Sequence, residues 1–203
     1  MPQLSYSLSP NPGTPGMLYD CERSSANIVT GIAGAVIPPG SICEFINSGG
    51  SYVAVPLKDT GTTTGFLPSY AGIALLDTVG AEQKYVPYAV PNVGGGSTFP
   101  GYPVGMPVSF VRRGRIWTMW DGSNSPALPF PMGAMQVWHS SDGSTLQGVV
   151  TTLNASASLH SEIDTLPATF QFYDPRQVSG SFTDAFGNTN AAVVMSVNLP
   201  GHS

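Results

Sequence analysis

The chain has 203 residues with 7 Lys and Arg against 12 Asp and Glu, a net charge of −5. That length suits one all-β domain better than two large ones, and an acidic chain this poor in cations is ill suited to holding nucleic acid by its phosphates. Charged residues are only 9%, against roughly 25% in an average soluble domain, while 24 Gly and 19 Pro disfavour long helices. Aromatic residues at 10% and hydrophobic residues at 41% still supply enough apolar surface for a packed core.

Residues 1–20, MPQLSYSLSPNPGTPGMLYD, carry Pro and Gly without periodicity and predict an extended N-terminal arm. Leu4, Tyr6, Leu8, Pro12, Met17 and Tyr19 are its candidate partner contacts, since such an arm needs a surface to lie on. The N-terminus has neither a basic n-region nor an apolar h-region, and no run of about 18 apolar residues occurs, so the expectation is a soluble protein with no bilayer span and no export signal. Residues 21–203 are then one β-sandwich or jelly-roll domain. Cys21 and Cys43 match neither zinc nor thioredoxin spacing; two ordinary thiols are expected, with a disulfide open if their Cα atoms approach within about 7 Å.

Short apolar runs broken by turn residues follow. IVTGIAGAVI ends at Pro38-Pro39-Gly40, and SICEFI and SYVAVPL flank Asn47-Ser48-Gly49-Gly50, a hairpin signal. GIALLDT, KYVPYAV, PVSFVRR, RIWTMW, AMQVWHS, STLQGVVTTL, TFQFYD and AAVVMSVNL complete roughly nine to eleven strands, the pattern of a sandwich or barrel. Alternation puts Phe170 and Phe172 on one face against Thr169, Gln171 and Tyr173. It likewise sets Ala191, Val193, Met195, Val197 and Leu199 against Ala192, Val194, Ser196 and Asn198. NVGGGSTFPGYPVG at 92–105 reads as a long surface loop, and SLHSEIDTL at 158–166 as one or two helical turns at most.

VRRGRIWTMW at 111–120 concentrates Arg112, Arg113 and Arg115 beside Trp117 and Trp120. A single-stranded nucleic-acid platform would combine such aromatics with a basic groove, but Arg23, Lys58, Lys84 and Arg176 are scattered along the chain. The expectation is a hairpin with Arg113-Gly114 at a turn or bulge between two strands, one buried Trp, and arginines that meet carboxylates of a neighbouring subunit. Ile116, Thr118 and Trp120 fall on one face, and Arg115, Trp117 and Met119 on the other.

Catalytic chemistry finds little purchase. His139, His160 and His202 are the only histidines, and no GxSxG, HExxH, GxxxxGK[ST] or GxGxxG occurs. His160, Glu162 and Asp164 would share a face on a strand, but a metal site normally draws on more than one segment. A solvated face is the plainer reading, with no enzymatic activity and no cofactor expected.

The order GIAGAVIPPGSICEF, GIALLDT and YPVGMPVSFVRRGRIWTMW resembles that of head-decoration, or structural cement, proteins of tailed bacteriophages. The matching residues are Pro39, Gly40, Gly72, Ile73, Ala74, Gly105, Pro107, Val108, Arg113, Gly114, Arg115, Ile116 and Trp117, within residues 28–120. The resemblance implies a jelly-roll or small β-barrel that binds the outside of a capsid and ties neighbouring major capsid proteins together. It implies self-association as a dimer or trimer, no nucleic-acid or membrane partner, and a place on the outer surface of the virion. The other reading is a carbohydrate- or receptor-binding module of a phage tail or fibre, using Tyr102, Trp120 and Trp138 as stacking rings.

Overall fold

The computed structural model describes residues 15–19, 27–57, 72–76, 98–99, 101–121, 136–138, 148–151, 163–166, 169–178, 182–184 and 189–199. They are all-β, with no helix among the described residues. The strands are β1 (Asn27–Ile32), β2 (Ile42–Ser48), β3 (Ser51–Pro56), β4 (Gly72–Ala74), β5 (Thr98–Phe99) and β6 (Pro107–Trp120). They continue with β7 (Gln136–Trp138), β8 (Val150–Thr151), β9 (Ile163–Thr165), β10 (Phe170–Val178), β11 (Phe182–Asp184) and β12 (Thr189–Asn198). The main path runs β3-β2-β4-β6-β12-β11-β5. Every pairing along it is antiparallel except the last, between β11 and β5.

The β2–β3 hairpin forms where the sequence signals it. Ser48 faces Ser51 across a two-residue turn, and the Gly50 N–H donates to Asn47 Oδ1 at 3.0 Å. Pro38-Pro39-Gly40-Ser41 is the second expected turn: the Ser41 N–H and its hydroxyl both donate to the Pro38 carbonyl. This turn is wedged into the sheet. Its Gly40 carbonyl accepts from the Met119 N–H at 3.0 Å and from the Thr118 hydroxyl at 2.6 Å, while the Gly40 N–H donates to Ala74.

Residues 111–120 depart from the expected hairpin. They belong to one 14-residue strand, β6, that runs through Arg113 and Gly114 without turning back. The expected bulge exists, but inside this strand. Asn27 of β1 pairs with Arg113 and Ile28 with Val111, so Arg112 is an extra residue in that ladder, and Gly114 beside it has φ of 137°. An inserted residue reverses the in–out alternation. Before it, Val108 and Phe110 face one buried cluster and Val111 the other; after it, Ile116 and Trp120 join Val111's cluster while Trp117 faces away from them.

β6 is thereby the spine of the sheet. β1 and β12 lie end to end along one edge, meeting where Asn27 and Asn198 both oppose Arg113. β4 and residues 15–19 take the other edge. The larger core cluster unites Ile42, Ile73, Val111, Ile116, Phe170, Phe172, Val193, Met195 and Val197; the smaller gathers Ile37, Cys43, Ala54, Tyr102, Val108 and Phe110. Buried aliphatic and aromatic side chains of this kind stabilise a fold by about 1.5–3 kcal/mol each.

The alternation of β10 holds: Phe170 and Phe172 are buried while Tyr173 is exposed. β12 buries its Val193, Met195, Val197 and Leu199 face as expected, and also Ala192 and Val194 on the other face, beneath Trp117. β10 loses register with β12 between Asp174 and Val178, the stretch holding Pro175, which has no N–H to give the ladder. Three further expectations are corrected. Residues 163–165, expected within a helical turn, form β9, paired with β7. The 92–105 loop contains β5 and carries Tyr102 into the core, its hydroxyl donating to the Leu75 carbonyl at 2.7 Å. Residues 15–19 of the expected extended arm lie on this chain's own sheet. KYVPYAV and residues 1–14 lie outside the described residues.

Candidate interaction surface

The three arginines of 112–115 do not converge. Arg112, the extra residue of the bulge, is 2% exposed, and burial pushes its pKa below the ordinary value; a guanidinium nevertheless stays charged. Arg113 is exposed at the junction of β1 and β12. Arg115 is half-buried, and its guanidinium carbon lies 3.9 Å from the centre of the Tyr173 ring. Only Arg113 and Arg115 therefore remain as surface cations in this stretch. The expectation of one buried Trp is exceeded, since both Trp117 and Trp120 are buried.

Arg115 ends a stack that includes the start of the described chain. The Tyr19 ring lies 6.1 Å from Trp117 and 5.6 Å from Tyr173, tilted by 56° and 57°. Aromatic contacts of this geometry stabilise by about 0.5–1.5 kcal/mol each, and an exposed cation–π contact by about 0.5–1 kcal/mol. The chain folds so because the β6 bulge turns Arg115 and Trp117 to the face opposite Ile116, where Tyr19 and Tyr173 cover them. Tyr19 is thus half-buried within its own fold and Met17 is 39% exposed; Leu4, Tyr6, Leu8 and Pro12 lie outside the described residues.

A second surface was not singled out by the sequence. β1 turns Val29 and Gly31 toward Phe110 and Phe45, leaving Ile28, Thr30 and Ile32 exposed in a row. Val36 and Val104 are exposed as well, and the Gly105 N–H donates to the Ala33 carbonyl beside the end of β1. The run IVTGI is apolar on both faces, so periodicity alone could not say which side was covered. Single exposed hydrophobics are ordinary; Ile28 and Ile32 stand on the same exposed face of β1, either side of Thr30.

Cys43 is a free, fully buried thiol. Burial pushes its pKa up to about 12, with Glu44 adding to the rise and the Ser41 hydrogen bond opposing it, so it is an inert core group rather than a nucleophile. Cys21, His139, His160, Glu162 and His202 lie outside the described residues, as do Arg23, Lys58 and Lys84. Among the described residues no three His, Cys, Asp or Glu side chains come together, and no described helix is long and apolar enough to cross a membrane. Of the rings considered for sugar stacking, Tyr102 and Trp120 are buried and present no open face. No protein-family model and no curated protein matches the chain.

Proposed function

We propose that the protein is a virion structural protein that decorates the outer surface of a phage capsid and binds across major capsid proteins, without enzymatic activity. The reading also takes the all-β domain to close as a jelly roll or small barrel carrying an arm of residues 1–14. The observation that carries it is the exposure of Ile28 and Ile32 on one face of β1, with Val36 and Val104 exposed as well, on a chain with only 9% charged residues. Such a surface suits burial against protein rather than phosphate or an ionic substrate. Repeated over a lattice, individually weak contacts of this kind add up through avidity.

The test is binding to emptied, expanded capsids of the virus that encodes the chain. The intact protein should cosediment with them and raise their resistance to heat. Ile32→Lys should abolish cosedimentation while the isolated protein keeps its melting temperature, and removing residues 1–14 should weaken binding. A protein that ignores capsids, or an Ile32→Lys variant that binds as the parent does, overturns the reading.

A further inference from the structure

β1 and β3 meet at one point. Ala33, the residue after β1, bridges Ala54 of β3 in parallel sense, and the Gly34 N–H donates to the Ala54 carbonyl at 2.7 Å. A Cβ on Gly34 would stand 2.6 Å from Val53 Cγ2, so the approach is tight there. The pairing goes no further back along either strand. Among the described residues β1 otherwise pairs only with β6, and β3 only with β2.

Alternation along each strand shows which backbone groups face this edge. The Ala33 N–H donates to the Met106 carbonyl and the Ala33 carbonyl accepts from Gly105, so both turn toward the β6 side. Val29 and Gly31 do the same two and four residues earlier. Ile28 and Thr30 therefore direct their N–H and C=O groups the other way, to the edge on which Gly34 meets Ala54. On β3, Ser51 and Val53 oppose Ser48 and Ile46 beyond the two-residue turn, and Tyr52, like Ala54, turns its backbone outward.

The edge has none of the devices that keep sheet edges from pairing. Asn27–Ile32 (NIVTGI) and residues 51–53 (SYV) contain no charge and no proline, and Asn27, Ile28, Thr30, Ile32 and Tyr52 are exposed. Both faces beside it are apolar. Ile28 and Ile32 stand on one, and Val29 and Phe45, packed against the smaller core cluster, stand on the other. A strand laid along β1 sets its alternate side chains against both faces, where a charged group would lose water without gaining a partner. The occupant that fits is an extended, uncharged segment rich in β-branched or aromatic residues.

We propose that the β1 edge at Ile28 and Thr30 accepts such a segment from a partner protein by strand addition. Main-chain hydrogen bonds then supply the affinity and the two apolar faces the selectivity. The inference does not rest on the capsid reading, and its test needs no capsid. The probe is a capped eight-residue peptide alternating Thr and Val, titrated into the intact ¹⁵N-labelled chain. The same peptide with one Val replaced by Lys, and the same peptide N-methylated throughout, are the comparisons.

The expected result is binding of the parent peptide with slowed amide exchange at Ile28 and Thr30, and binding of the other two weaker by about tenfold or more. Thr30→Pro removes an outward N–H and no bond to β6, and should weaken binding of the parent peptide about tenfold, whereas Thr30→Val should not. Slow exchange along the β6–β12 ladder shows that both variants are folded. The proposal is overturned by a parent peptide that does not bind, by equal binding of the N-methylated peptide, or by Thr30→Pro binding as Thr30→Val does. Protection of the Ile28 and Thr30 amides on concentrating the chain alone would assign the edge to a second copy and overturn it as well.

Discussion

Gly72 sits at the first position of β4, where that strand meets both β2 and β6. Its φ is 120°, a region that only glycine adopts without strain, and a Cβ there would run into the Val111 carbonyl. Gly72→Ala therefore carries two separate costs. The backbone conformation contributes about 1–3 kcal/mol. The obstructing atom is a main-chain carbonyl within the ladder, so β4 must move off β6 and loosen the Ile73–Val111 and Ala74–Phe110 pairings, at about 1 kcal/mol per weakened hydrogen bond. The sum is about 3 kcal/mol, or about 6–12 °C in melting temperature for a chain of this size.

Gly49→Ala is the internal control. Its φ is 61° and nothing lies within 4 Å of the added carbon, so it bears the conformational cost alone, about 1 kcal/mol. Thermal and urea unfolding of both variants, followed by tryptophan fluorescence, measures the difference. If Gly72→Ala is no less stable than Gly49→Ala, the close approach of β4 to β6 is wrong.

Arg113→Glu should leave unfolding within about 0.5 kcal/mol of the parent because the side chain is exposed, yet impair binding to any partner with an acidic surface. Arg112→Ala, next to Arg113 in sequence but at a buried side chain, should cost several times more through lost packing, about 2 kcal/mol or above. Both are read by urea denaturation. Cys43 makes the fold alkali-sensitive. Its pKa rises from 9.0 to about 12 on folding, so the stability it contributes is full below pH 9 and falls as the unfolded thiol ionises between those values. Between pH 8 and 10.5 the parent should lose about 2 kcal/mol more than Cys43→Ala, and equal pH slopes for the two would refute it.

What the sequence made legible was local. Asn47-Ser48-Gly49-Gly50 and Pro38-Pro39-Gly40 announced their turns because turn geometry depends on the few residues within it. The alternation of Phe170 and Phe172 announced a half-buried strand for the same reason. The fate of VRRGRIWTMW was not local. Glycine beside two arginines reads equally as the apex of a hairpin or as a bulge, and only the pairing of β6 with both β1 and β12 makes it a bulge. Tyr102 was similarly hidden: a turn-rich stretch gave no hint that Ile37 would pair with it and draw its ring inward.

The candidate surface was legible only in part. Arg113 and Arg115 stood out as a local concentration of cations, but Tyr173's place under Arg115 needed the β10–β12 and β12–β6 registers together. The row of Ile28 and Ile32 was invisible because a strand apolar on both faces has no period to read.

Contact between capsid protein and the exposed face of β1 with its neighbouring loop can be seen by cryo-electron microscopy of expanded capsids incubated with the purified chain. The expected result is ordered density on the outer capsid surface, with Ile28, Ile32, Val36 and Val104 facing major capsid protein. Bare capsids, or a decorated shell in which those four residues face solvent, would contradict it.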